Sequence, residues 1–199
     1  MNKLEKALNE LVKVHKKFNL QGKFEESYGA DQAWPNYIKR SEEISFLFEK
    51  FSPVNIGIET GFTPIKLFNF DEIEGAQYGY GWIKNSGEIT KNPNWPDNNL
   101  VFMDDIGGGK PIIALLDTKD TPVYASYDSE KPFKISDSLV DFFLSLSKLI
   151  EIVYGEFDIF EICDEDDELK TEFVEMISKE IEPLIGSENF GNFFDYFYG

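Results

Sequence analysis

The stretch WPDNNLVFMDDIGGGKPIIALLD, residues 95–117, brings Asp104, Asp105, three consecutive glycines and Lys110 close together. Acids, glycines and a lysine are the ingredients of a phosphate loop or a metal site, so their spacing decides the matter. A phosphate loop needs G-x-x-x-x-G-K-[ST] leading from a strand into a helix, so that backbone N–H groups and the helix dipole face the anion. Here Gly107, Gly108 and Gly109 are adjacent, Lys110 precedes Pro111, and PIIALLD reads as a strand. A calcium loop places its ligands at alternate positions. Adjacent Asp104 and Asp105 are instead expected to point to opposite faces of a strand. The stretch reads as two strands joined by a glycine turn, and neither metal nor nucleotide is expected there.

DEDDELKTEFVE, residues 164–175, sets Asp164, Asp166, Glu168 and Glu175 at positions 1, 3, 5 and 12 of a calcium loop, but Leu169 stands where that loop needs glycine. The expectation is an acidic helix N-terminus with Asp164 as its cap. His15, the sole histidine, falls on the apolar stripe of the first helix and is read as packing rather than as a general base. Cys163 lies in FEICDEDD, where neighbouring carboxylates would raise its pKa. No Ser-His-Asp or Cys-His set can be assembled without that one histidine. Trp34, Trp82, Trp95 and the tail NFGNFFDYFYG read most simply as core and sheet packing, with an aromatic contact surface for a protein as the alternative.

The 199 residues, 42% hydrophobic and 16% aromatic, suit one compact domain with room for a short extension. MNKLEKALNELVKVHKK alternates charge with apolar residues and reads as neither signal peptide nor anchor. A single cysteine excludes an internal disulfide and suggests a reducing, cytoplasmic setting. The net charge of -18 disfavours direct partners that are themselves anionic, nucleic acid and acidic membranes alike. Residues 1–150 hold 22 acidic against 17 basic residues, and residues 151–199 hold 15 against 2, so the tail carries most of the excess. A basic protein is the favoured partner.

Elements must position these groups. Leu4, Leu8, Leu11, His15 and Phe18 recur at helical spacing and predict a helix over about 2–18. FEESYGADQAWPNY reads as loop, and Ser41 with Glu42 and Glu43 opens a second helix. Val54, Ile56 and Ile58 alternate, then Ile65, Leu67 and Phe70. Two strands around an Asn85-Ser86-Gly87 turn follow, then NNLVFMDD, KPIIALLD and TPVYASYD. Helix returns at Ser136, with Phe142, Leu146 and Leu149 on a face wide enough to cover the sheet, and ends near Gly155. A last helix is expected over Glu165–Glu182, stopped by Pro183. The fold class is thus α+β, a mainly antiparallel sheet flanked by N-terminal and C-terminal helices.

The run from Trp95 to Asp117, the Pro122-Val123-Tyr124 strand and SDSLVDFFLSL at 136–146 together resemble the SUKH superfamily. The likeness covers roughly residues 41–150. One departure lies at Gly109-Lys110, where such sequences often carry an acidic residue before the proline. The resemblance implies a SUKH-like α+β domain over 1–155, and the acidic, aromatic-rich segment 156–199 is read as a helical extension packed on it. It also implies a non-catalytic, cofactor-free protein-binding domain. In bacteria such domains are immunity proteins, antitoxins of polymorphic toxin systems that neutralise a cognate toxin, commonly a nuclease. The other expectation is a scaffold or regulatory protein like the yeast regulator of cell-wall assembly. For a basic toxin, Asp164, Glu165, Asp166, Asp167 and Glu168 would steer the encounter. Tyr78, Tyr80, Asp104 and Asp105 are candidates, by residue type, for the core of the contact.

Overall fold

A computed structural model describes residues 2–25, 34–127 and 131–199. Among these residues the fold is α+β: six helices, a seven-stranded antiparallel sheet and a separate two-stranded hairpin. The loop expected over residues 24–37 lies largely outside the described residues.

Helix α1 (Lys3–Lys17) forms where the apolar stripe predicts it. Asn2 caps it, its Oδ1 accepting the Leu4 N–H at 2.9 Å, and Leu4, Leu8, Leu11 and Val14 are buried. Strand β1 (Gln21–Phe24) follows, where no strand was expected. It is mostly exposed and, among the described residues, pairs only with β2 (Pro53–Ile58), so it shows no alternating pattern. Gly22 permits the pairing, since its φ is +88° and a Cβ there would sit 2.3 Å from the Asn55 carbonyl oxygen. Helix α2 (Glu42–Phe46) is capped by Ser41, whose Oγ accepts the Ile44 N–H at 3.1 Å, and widens into a π-helical turn, Leu47–Phe51.

The sheet order is β1-β2-β3-β6-β7-β8-β9, with β3 at Ile65–Leu67, β6 at Asn99–Asp105, β7 at Ile112–Leu115, β8 at Val123–Ala125 and β9 at Phe133–Ser136. β3 and β6 are neighbours in the sheet although some thirty residues separate them in the chain. That excursion holds a 3₁₀ turn (Phe70–Glu72), the short helix α3 (Ile73–Ala76) and the hairpin β4–β5 (Trp82–Asn85 and Glu88–Lys91). Phe70, expected on a strand with Ile65 and Leu67, begins that turn, where Asn69 and Glu72 form a reciprocal cap. Positive φ at both Ser86 and Gly87 gives the hairpin the tight turn expected of Asn-Ser-Gly.

Helix α4 (Leu139–Glu151) covers the sheet through the expected face: Phe142, Leu146 and Leu149 are buried, and Phe102 of β6 meets Phe142 and Phe143 edge-on. It starts later than expected, because residues up to Ser136 complete β9 and Ser138 is the cap, accepting the Asp141 N–H at 3.0 Å. A π-helical turn, Ile152–Glu156, carries it past Gly155.

The expected helix over 165–182 is displaced. Asp164 does not cap it; its Oδ1 accepts the N–H groups of Asp166 and Glu168 within an exposed turn, and helix α5 runs Thr171–Ile185. Pro183 falls inside its last turn and does not stop it; the helix ends at Gly186, φ +80°. The aromatic tail forms helix α6 (Ser187–Tyr198), which lies beside β9 and donates from Asn192 Nδ2 to the Lys134 carbonyl at 2.9 Å. Phe173 and Ile177 of α5 and Phe193 and Phe197 of α6 share one hydrophobic core with α1, α4 and the sheet. Among the described residues, no helix is long and apolar enough to cross a membrane.

Candidate interaction cleft

The face of the sheet opposite the main core carries a small second cluster, Trp95, Val101 and Ile113, with Phe68, Tyr80 and Tyr124 against it. The excursion between β3 and β6 folds onto this face through Gln77. Its buried amide donates to the Val101 carbonyl at 2.8 Å and accepts the Val101 N–H at 3.0 Å, as a further strand residue would. The same Nε2 donates to the Ile73 carbonyl at 2.9 Å, tying α3 to β6. Tyr78 and Tyr80 follow immediately in the chain, so Gln77 sets where they stand.

Between the excursion and the turn after β6 opens a cleft of about 750 Å³. Tyr78, Tyr80, Asp104 and Asp105, the four residues chosen by type, all line it. Lys66, Phe68, Glu72 and Ile106 line it as well, and sequence reasoning missed them. Lys66 could have been found only from the register, which pairs it with Asp104 across β3 and β6. Gln77 carried no signal, being one polar residue in an irregular stretch.

The two aspartates do not diverge as expected. Asp105 is the last residue of β6, where strand geometry ends, and both carboxylates turn toward the glycine segment. Asp104 Oδ1 accepts the N–H groups of Asp105 at 2.9 Å, Gly109 at 3.3 Å and Lys110 at 2.9 Å. Asp105 Oδ1 accepts the same Lys110 N–H at 2.9 Å. Tyr80 donates its hydroxyl to Asp104 Oδ2 at 3.1 Å. Gly108 and Gly109, at φ +76° and +120°, allow the chain to curl around the carboxylates. Asp104 is only 8% exposed, and burial first, then the Asp105 carboxyl, pushes its pKa up to about 6.

The turn is also held from behind. Tyr196 of α6 donates its hydroxyl to the Lys110 carbonyl at 2.6 Å, and Lys110 Nζ donates to Thr63 Oγ1 at 3.3 Å and lies over the Tyr127 ring. Burial and the charge of Asp104 together raise the Tyr196 phenol above its ordinary range. The C-terminal helix is therefore part of the support of the turn that lines the cleft.

The five acids at 164–168 stand elsewhere: all are exposed, and none lines the cleft. Their turn is closed by a bridge between Cys163 and Leu169. The Cys163 thiol is raised as expected, by burial first and then by Asp167 and Asp164. His15 is buried on α1 with Nε2 3.0 Å from the Gln21 carbonyl oxygen, edge-on to Phe24; burial lowers its pKa. That is the packing role expected of it. Among the described residues, no group of three His, Cys, Asp or Glu side chains is placed to hold a metal ion.

The cleft can bind by shape, aromatic contact and negative charge, and its described lining offers neither histidine nor cysteine for nucleophilic work. Comparisons with family models, curated proteins and solved structures return no match for this chain.

Proposed function

We propose that the chain is a non-catalytic protein-binding domain, an immunity protein that neutralises a cognate bacterial toxin with a basic surface, such as a nuclease. The observation that carries this reading is the cleft: Tyr78, Tyr80, Asp104 and Asp105, distant in sequence, line one open concavity of suitable size for a partner's side chains. Its acidic floor lies within the stretch that resembles the SUKH superfamily, and the overall charge of -18 favours a cationic surface. In this reading the cleft forms the contact core and the exposed acids at 164–168 raise the encounter rate. Carboxylates would occupy places on the toxin where nucleic acid phosphates otherwise sit.

The test is a pull-down of the chain with the product of the neighbouring gene, paired with growth rescue of cells expressing that product. A specific complex together with rescue is the expected result. A neighbouring product that is not toxic, or a toxin that the chain neither binds nor silences, overturns the reading.

A further inference from the structure

The cleft is barer than its own backbone requires. Gly79 and Gly108 have φ of +90° and +76°, conformations that favour glycine. Gly75 has no such reason: it lies in α3, outside the left-handed region, and a Cβ placed on it would have no atom within 4 Å. Glycine in a helix is less favourable than alanine by about 1 kcal/mol. Neither geometry nor packing accounts for it on the cleft wall. Space kept clear beside an acidic floor and aromatic sides has a physical reason if something flat and cationic fills it.

The lining narrows the class of that occupant. The three carboxylates of Asp104, Asp105 and Glu72 outnumber the lysines at the cleft, Lys66, paired with Glu72 at 2.6 Å, and Lys84, over the Tyr78 ring, so an anion is disfavoured. A hard metal ion needs several oxygen ligands converging on one point, and among the described residues no three acidic side chains do so here. The chain's own cations already lie over two of the rings, Lys66 over Phe68 at 5.5 Å and Lys84 over Tyr78 at 5.6 Å. An ammonium ion is compact and strongly hydrated and gains little in an open cleft. A guanidinium is planar, weakly hydrated, stacks on rings and pairs with a carboxylate through two N–H groups.

We propose that the cleft receives one arginine side chain of the partner, its guanidinium against the aromatic wall and paired with the carboxylate of Asp105, in the space that Gly75 leaves clear. This rests on the partner-binding reading above and names the chemistry that the cleft selects.

Nuclear magnetic resonance on the full chain tests it without the partner, using Nα-acetyl-arginine amide and Nα-acetyl-lysine amide as probes. The arginine compound should shift the amides of Gly107, Gly108 and Gly109 saturably, and the lysine compound should bind about three-fold more weakly or worse. The Asp104 carboxyl, read by its side-chain carbon, should titrate lower with the arginine compound present, because a nearby cation favours the charged form. Tyr80, Lys110 and Tyr196, which also face that pair, are common to both states. Gly75→Met, a substitution that favours the helix and fills the wall, should weaken the arginine shifts about ten-fold while leaving the rest of the spectrum in place. Absence of saturable shifts, equal binding of the two compounds, or full binding to Gly75→Met overturns the inference. A failed titration with a successful toxin pull-down overturns this inference alone. A positive titration with a failed pull-down overturns the toxin reading and leaves the arginine site standing.

Discussion

Two acidic regions of one molecule behave as opposites. At the cleft, Asp104 is nearly buried, holds three backbone N–H groups and a tyrosine hydroxyl, and has a raised pKa. At residues 164–168, five acids are all exposed on a turn that Asp164 closes with its own backbone contacts. The second region carries more charge, yet the first has the shape and the desolvation that make a contact specific. Under the proposed function, the exposed charge would serve steering and the concavity with fixed partners would serve as the contact core.

That contrast can be broken by substitution, and the largest effect serves as a scale. Leu146→Ala, in the main core under neither region, should cost about 2–5 kcal/mol by chemical denaturation. A loss under about 0.5 kcal/mol would mean that α4 does not cover the sheet as described. Asp104→Ala should come next, at about 1–3 kcal/mol, because it removes the acceptor that the N–H groups of Gly109 and Lys110 and the Tyr80 hydroxyl share. Asp166→Ala, on the exposed turn, should stay within about 0.5 kcal/mol. Equal losses at the two sites would erase the distinction between a wired acid and a solvated one.

A smaller effect appears with pH. Asp104 titrates near 6 in the folded chain and near its ordinary carboxylate value when unfolded, so between those values the folded state holds the extra proton. Its contribution is most favourable below the unfolded value and is lost as pH rises through about 6. Thermal melts from pH 4 to 7 should therefore show Asp104→Asn gaining on the wild-type chain as pH rises. The opposite trend would mean that the carboxylate is stabilised rather than strained by its surroundings. The smallest expected effect is none: calorimetry with ATP, magnesium and calcium should give no heat of binding at the glycine turn. Micromolar binding lost in Asp104→Asn with Asp105→Asn would refute that.

The same contrast separates what could be read from residue order and what could not. Helices α1 and α4 and the strands from β6 to β8 follow from periodicity, since each presents a continuous apolar face to the core. β9 could not, because Ser136 at its end looks like a helix cap and only the structure shows Ser138 in that role. For α6 a packed helical extension over 156–199 was legible but its bounds were not: the aromatic run has weak helix preference and is helical because its rings are packed among β9, α5 and the core. At the site, residue types pointed to Tyr78, Tyr80, Asp104 and Asp105, but nothing local foretold that Gln77 would dock the excursion on β6 or that the two carboxylates would converge on Lys110. The acids at 164–168 resemble a helix start in composition, and their exposed turn arises from the Cys163–Leu169 bridge.

The most direct measurement of the proposed function is stopped-flow binding to the neighbouring-gene product proposed as its toxin, at low and high salt, with two variants of the full chain. Replacing Asp164, Glu165, Asp166, Asp167 and Glu168 by Asn and Gln should slow association several-fold, most at low salt, with dissociation nearly unchanged. Replacing Asp104 and Asp105 by Asn should instead speed dissociation and leave association close to wild type. If the cleft variant dissociates like the wild type, or if association is indifferent to both salt and the five substitutions, the division into a contact core and a steering surface is contradicted.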